Sequence, residues 1–425
     1  MKKKKLGLTS KILIGLLLGL VFGIILNGMP SGYFKDVILI NGILKVAGKV
    51  FINAIKMLVV PLVFVSLVCG ASAIGDVKKL GRVGVKTLVF YVITTAVAIS
   101  FALIVGKIIN PGIGLDLSNI VKQEPTIGEG KALVDVIIGM VPTNPVASMA
   151  NGSMLQIIVF SLLMGVSMAL VGDKAKPVID IFNSLNEIVM KMVMVVMEFA
   201  PFGVFALITN TFATVGFEAM GSLLKYMIAV VLTLLIHATF TYMGILSVVG
   251  KLNPIVFFKK FLPVAGVAFS TSSSNATLPV TIEAVENMGV SKNVASFTLP
   301  LGATINMDGT AIMQGVAAVF ISQVYGIDLS MQAFLTIILT ATLASVGTAG
   351  VPGVGMITLS MVLQSVGLPV EGIALIIGID RVLDMCRTVI NITGDSVCTI
   401  VVSKTEGEFN EDMYYSKKIG DEVLS

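Results

Sequence analysis

The sequence predicts an all-α polytopic membrane protein with eight transmembrane helices, two re-entrant helical hairpins and inverted repeats. Three observations lead there. Of 425 residues, 56% are hydrophobic and only 13% are charged, against about 25% charged in soluble proteins. Apolar runs long enough to cross a bilayer, roughly 20 residues each, recur along the chain. Two further apolar stretches are interrupted in the middle by small and polar residues.

The uninterrupted runs are 11–29, 42–71, 85–110, 154–171, 180–214, 222–250, 293–325 and 371–403. The first follows Lys2–Lys5 and looks like a signal peptide. It lacks an obvious small-residue cleavage site and more spans follow at once, so it is read as a mature helix. Lysines and arginine in the short connections (Lys2–Lys5, Lys78/Lys79/Arg82/Lys86, Lys174/Lys176, Lys251/Lys259/Lys260) fall on one side of an eight-span path. By the positive-inside rule both termini are expected in the cytoplasm, in a cell (plasma or inner) membrane. Lys45, Lys49 and Lys56 are expected to snorkel from a long tilted second helix.

The interrupted stretches, 254–290 and 330–368, must each return to the side they came from if the remaining spans are to alternate. They carry matching tetrapeptides, Ala276-Thr277-Leu278-Pro279 and Ala349-Gly350-Val351-Pro352. Irregular backbone at membrane depth persists only where protein or a water-filled cavity satisfies its polar groups. Opposed broken segments are the pattern of an inverted-repeat secondary transporter with its site where the tips meet.

Other function classes find no support. The net charge is +4 with the charges scattered, so no nucleic-acid partner is expected. Cys69, Cys386 and Cys398 lie in apolar stretches without CxxC spacing, and His237 is the only histidine. Zinc and iron sites are therefore not expected. No GxSxG, Walker or HExxH motif occurs, so an enzyme or ATPase is not expected.

The last span, IDRVLDMCRTVINITGDSVCTIVV, holds Asp380, Arg381, Asp384, Arg387 and Asp395. At 100° per residue Asp380, Asp384, Arg387, Thr388, Asn391 and Asp395 share an arc of about 100°, with Arg381 at its edge. Each buried charge costs about 2.5–3.5 kcal/mol at the bilayer centre on insertion scales. The stripe must therefore face itself, water or a ligand. Internal ion pairs such as Asp384–Arg387 are one reading; the extension through Thr388, Asn391 and Asp395 favours a binding surface.

The seventh span carries Asn306-Met307-Asp308-Gly309-Thr310, where a local unwinding would free backbone carbonyls beside an amide and a carboxylate. Such an oxygen cage suits a hard cation like sodium, and a simple kink is the other reading. In the first tip, Ser270-Thr271-Ser272-Ser273-Ser274-Asn275-Ala276 favours a break and a new helix start, which offers N–H groups to a carboxylate. The glycine-rich second tip, residues 345–355, would serve as a gate or a source of carbonyls. Tyr91, Thr94 and Thr95 place hydroxyls on one side of the third span.

Taken in order, the serine-rich tip, NMDGT, GTAGVPG and DMxRTxxNxTGD elements resemble the glutamate/aspartate transporters, the dicarboxylate/amino acid:cation symporters. The resemblance implies a substrate held between the two tips and the last two helices. Arg387 would hold a side-chain carboxylate and Asp384 the α-ammonium. Asn391, Thr388 and the tip at Ser272, Ser273 and Ser274 would hold the α-carboxylate, with Thr310 and Val351 closing the pocket. It implies co-transported Na+ at Asp395 and Asn391 with the Gly302 and Asn306 carbonyls. A second ion would use the carbonyls of Thr304, Ser345, Val346 and Thr348, and a third Tyr91, Thr94, Thr95, Asn306 and Asp308.

The same resemblance implies a homotrimer in the lipid bilayer and an elevator mechanism. Scaffold helices would fill 1–75 and 126–220. A third transport-domain helix would fill 76–125, the transport core 221–403 and a cytoplasmic tail 404–425. The chain departs from the family at Ser272 and Met385, where archaeal and animal members respectively carry an arginine; Arg381 is the nearest substitute. Gln314 replaces the glutamate of potassium-coupled members, and the large outer insertion of animal members is missing, as expected of a prokaryotic protein. The expected activity is uptake of L-aspartate or L-glutamate with sodium. A proton-coupled dicarboxylate/glutamate carrier and an uncoupled channel or binding protein are the alternatives.

Overall fold

The structure, a computed structural model, describes residues 8–73, 81–115, 138–216, 218–346 and 353–416. Among these every regular element is helical, apart from an isolated bridge between Val290 and Phe409. In chain order the helices are α1 (Leu8–Gly28), α2 (Lys45–Ala73, preceded by a π-helical segment Tyr33–Leu44), α3 (Arg82–Ile109), α4 (Pro145–Asn151), α5 (Met154–Val171) and α6 (Lys176–Glu198). They continue with α7 (Ala200–Val215), α8 (Glu218–Ile236), a π-helical turn (His237–Met243), α9 (Gly244–Val248), α10 (Pro254–Thr271), α11 (Ser274–Asn287) and α12 (Lys292–Ile305). The last are α13 (Asp308–Val324), α14 (Met331–Ser345), α15 (Val354–Ser365), α16 (Ile373–Thr405) and α17 (Glu411–Tyr415). Among the described residues, six helical segments are long and apolar enough to cross a membrane. Their exposed faces carry Leu17, Leu18, Val89, Ile93, Leu163, Ile181 and Leu235, as lipid-facing helices should.

The predicted run 180–214 is two helices, broken at Phe199. Pro201 sits in the first turn of α7, where its missing N–H costs nothing. Helix α7 packs on α1, which turns Gly15, Gly19 and Gly23 toward it, four residues apart on one face. A Cβ at any of them would meet the α7 backbone at Pro201, Phe205 or Thr209 within 3 Å. In lipid, where apolar surface gains little from helix contact, such small-residue stripes let backbones approach and pack. Helix α2 lies against α5, α6 and α7.

Around these sits a second group centred on α13 and α16. Helix α13 is buried on all sides from Asp308 to Ser322, and packs on α3, α8 and α16. Helix α16 also contacts α10, α11, α12 and α7. Two of the predicted interior breaks are present, and the middle of the glycine-rich one, 347–352, lies outside the described residues. Between α10 and α11 the chain turns at Ser272, in the left-handed conformation (φ 51°), and Ser273, extended, caps α11 by accepting from Ala276 N at 3.3 Å. Between α12 and α13, Asn306 and Met307 leave helical geometry.

The segment that follows α16, as far as residue 415, is bound to the rest of the fold. Residues 408–415 bind both feet of the α10–α11 pair. Tyr414 Oη donates to Asn253 O (2.9 Å) and Asn253 N donates to Tyr415 Oη (3.2 Å). At the other foot, Asn410 N donates to Gly289 O (2.7 Å) and Ser291 N to Glu408 O (3.1 Å).

Candidate functional site

Two polar clusters lie where α16 meets the α12–α13 break. The first surrounds Arg387, which is 1% exposed. Its guanidinium pairs with Asp380, one turn-pair earlier on the same helix, and with Asp384 Oδ1 at 2.8 Å. Arg381 reaches the other oxygen of Asp384 at 3.3 Å. Two arginines and two aspartates thus form a cluster that is neutral when all four are ionised. The spacing i, i+3 and i+7 puts Asp384 and Asp380 on the Arg387 face. Asp380 belonged to the predicted stripe, but its role as the arginine's direct partner was not read. Arg387 Nε is buried without a hydrogen-bond partner among the described residues.

Helix α15 closes on this arginine. A Cβ at Gly355, near the start of α15, would come within 3.2 Å of Arg387 Nη2 and 3.4 Å of Thr310 Cγ2. At the break between α10 and α11 the Ser272 hydroxyl is buried and unpartnered among the described residues, and Ser273 and Ser274 are buried; α10 and α11 both pack on α16. Thr388 spends its hydroxyl on Asp384 O (2.9 Å). Val351 and Thr348 lie outside the described residues.

The second cluster is built on the unwound Asn306–Met307. Asn306 Nδ2 donates to Asp395 Oδ1 (2.9 Å) and to Asn391 O (2.8 Å), while Gly309 N donates to Asn391 Oδ1 (2.7 Å). These bonds lock the break in α12–α13 onto α16. Gly302 sits where a side chain would collide with both Asp395 and the Tyr91 hydroxyl, so Tyr91, Gly302 and Asp395 meet at one point. Tyr91 Oη is buried and lacks a hydrogen-bond partner among the described residues. The Gly302 carbonyl already accepts from Asn306 N at 2.8 Å, leaving it one lone pair.

Asp308 is the hub. Its Oδ1 accepts from Thr95 Oγ1 at 2.5 Å, and its Oδ2 accepts from Tyr242 Oη at 2.7 Å and faces His237 Nε2 at 3.1 Å. Thr95, His237 and Tyr242 are all fully buried. The structure brings Thr95 to Asp308, and Tyr91 and Asn306 to Asp395; His237 and Tyr242, which also meet Asp308, were not among the residues expected there. Thr94 bonds back to Tyr91 O (3.3 Å) and Thr304 to Leu301 O (2.9 Å). Ser345 and Val346 are buried at the end of α14, where Ser345 bonds Thr342 O (2.8 Å). The oxygens available here are carboxylate, amide, hydroxyl and carbonyl, a donor set for hard monovalent cations rather than for zinc or copper. Neither Asp308 nor Asp395 has a lysine or arginine partner among the described residues.

Lys56 does not snorkel freely. Its ammonium pairs with Glu371 Oε1 at 2.8 Å, joining α2 to the turn before α16.

Known proteins place this architecture. The sodium:dicarboxylate symporter family matches residues 8–405. The chain is 39% identical over 419 residues to the proton/sodium-glutamate symport protein of Bacillus caldotenax, covering 96% of this chain and 97% of that one. It is 38% identical over 420 residues to the proton/glutamate-aspartate symporter of Escherichia coli (strain K12), covering 96% and 95%. It is 34% identical over 416 residues to the C4-dicarboxylate transport protein of Bacillus subtilis (strain 168), covering 95% and 94%. A chain whose described elements are helical, with two buried polar clusters where α16 meets the α12–α13 break and a family match over residues 8–405, belongs to the sodium:dicarboxylate symporter family and is a membrane transporter rather than an enzyme.

Proposed function

We propose that this protein takes up L-aspartate or L-glutamate coupled to sodium ions. One observation carries the coupling: Asp308 and Asp395 are buried to 0% and 3% exposure with no lysine or arginine beside them among the described residues. A lone buried carboxylate is expensive unless a cation or proton joins it. The Arg387 cluster is already neutral, so an amino acid bringing a net negative charge needs cations to enter with it. Arg387 would exchange its aspartates for the substrate's side-chain carboxylate, and the freed Asp384 would take the α-ammonium. Ser272–Ser274, Thr388, Asn391, Thr310 and Val351 complete the substrate site. Na+ would use Tyr91, Thr94, Thr95, Gly302, Thr304, Asn306, Asp308, Ser345, Val346, Thr348, Asn391 and Asp395.

In this reading α10–α11 and α14–α15 are re-entrant hairpins from opposite faces, with 221–403 and helix α3 moving as a transport body. Residues 1–75 and 126–220 form the fixed scaffold of a homotrimer in the plasma membrane, and both termini are cytoplasmic. A second reading is a proton-coupled dicarboxylate or glutamate carrier. The proton-coupled relatives and the histidine against Asp308 favour it over any uncoupled channel.

The deciding experiment is uptake of labelled L-aspartate into proteoliposomes under an inward sodium or an inward proton gradient, with glutamate and succinate as competitors. Sodium-driven accumulation blocked by glutamate and not by succinate supports the first reading. Accumulation with protons alone replaces it by the second.

A further inference from the structure

His237 and Tyr242 are five residues apart. In an α-helix that spacing turns them about 140° away from each other. Here they lie in a π-helical turn, His237–Met243, inserted between α8 and α9. The wider turn, with i→i+5 bonding, brings both rings to one side: their centroids are 4.6 Å apart at 72°. Both deliver a hydrogen-bonding atom to the same oxygen, Asp308 Oδ2. His237 Nδ1 is buried without a partner among the described residues, so the tautomer that satisfies the contact carries its hydrogen on Nε2 and donates it to Asp308. Helix α16 makes room for this arrangement at Gly394, where any side chain would strike the Tyr242 hydroxyl and the Asn306 amide.

The geometry points to His237 and Tyr242 as positioning residues that orient the Asp308 carboxylate and set the cation affinity of its site. This rests on the sodium-coupled reading above. With Oδ2 held by two aromatic donors, the remaining lone pair of Oδ1, beside Thr95, is the one directed at a cation. The π turn is then a device of the site. It is the backbone geometry that lets one helix supply both donors, and Gly394 is the matching recess on the opposing helix.

The test uses the purified full-length protein and titrates sodium chloride against choline chloride at constant ionic strength. It follows thermal stabilisation and labelled aspartate binding in the wild type, His237→Leu, His237→Gln and Tyr242→Phe. Loss of either donor is expected to raise the sodium concentration for half-maximal response by about 10- to 100-fold. Aspartate affinity at saturating sodium should change little, and His237→Gln, which keeps a donor, should recover most of the response. A lower melting temperature with an unchanged sodium midpoint in both donor-loss variants would mean packing alone and overturns the role. Should His237→Leu fail to fold, Tyr242→Phe, which removes a single oxygen, decides the matter. A wild-type protein indifferent to sodium would instead remove the coupling reading itself, and the positioning role with it.

Discussion

Asn306 joins the helix break to α16 through one nitrogen, which donates to Asp395 Oδ1 at 2.9 Å and to the Asn391 carbonyl at 2.8 Å. Two functions meet in that amide. It fixes the register of the unwound backbone against α16, and it supplies the described hydrogen bond to a carboxylate that has no cationic residue beside it. Asn306→Ala is expected to leave Asp395 short of a donor, a loss of about 1–3 kcal/mol where the acceptor stays buried. Sodium should restore much of that stability by occupying the same carboxylate. Thermal unfolding with and without sodium measures both effects, and an equal loss in the two media would argue against a cation at Asp395.

Among the described residues Arg387 is the most deeply buried cationic side chain, and it has two carboxylate partners. Arg387→Cys should abolish aspartate and glutamate uptake while leaving room for neutral amino acids. It also strands Asp380 and Asp384, and breaking such a buried pair costs about 3–5 kcal/mol. Uptake assays with aspartate and serine, run beside a melting curve, separate the two consequences. Undiminished aspartate uptake would falsify the assignment.

Gly289 ties the C-terminal segment to the foot of α11. Its φ is +98°, and a Cβ there would collide with the Asn410 backbone carbonyl. Gly289→Val therefore combines backbone strain with a clash, each about 1–3 kcal/mol. Detachment of residues 408–415 should follow, seen as faster protease cleavage in that segment. Resistance equal to the wild type would show that the segment holds by other contacts.

The Lys56–Glu371 pair bears on pH. Protonating Glu371 removes the charge that pairs with Lys56, so the contribution of the pair is present at neutral pH and disappears in acid. Both side chains are about one-third exposed, so solvent screening limits the pair to roughly 0.2–1 kcal/mol. Lys56→Met should lower the melting temperature slightly at pH 7 and not at acid pH. A gap that persists in acid would assign the effect to packing of the lysine stem.

Much of the architecture was legible because lipid imposes a simple code. Long apolar runs, the serine-rich break at Ser272 and the unwound Asn306–Met307 each follow from local chemistry: helices satisfy their own backbone, and serine, asparagine and glycine mark where they stop doing so. The stripe on α16 was legible for the same reason, since 3.6-residue periodicity brings Asp380, Asp384, Arg387, Thr388, Asn391 and Asp395 to one face. The break at Phe199 was harder to see, because it interrupts a run whose hydropathy never falters.

His237 and Tyr242 escaped for a geometric reason. Helical periodicity assigns them to different faces, and only a π turn, chosen by packing against Asp308 and Gly394, reunites them. Asp380 was seen as polar, yet which of two aspartates an arginine prefers depends on side-chain reach across a helix surface. The Lys56–Glu371 pair and the binding of residues 408–415 to Asn253 and Gly289 link positions far apart in the chain. Sequence alone therefore determined the membrane class, the helix breaks and the polar face, all of which depend on neighbours within a few residues. The tertiary structure decided which buried charges pair, which buried carboxylates have no lysine or arginine beside them among the described residues, and which aromatic groups bond to Asp308, because those choices depend on contacts between helices.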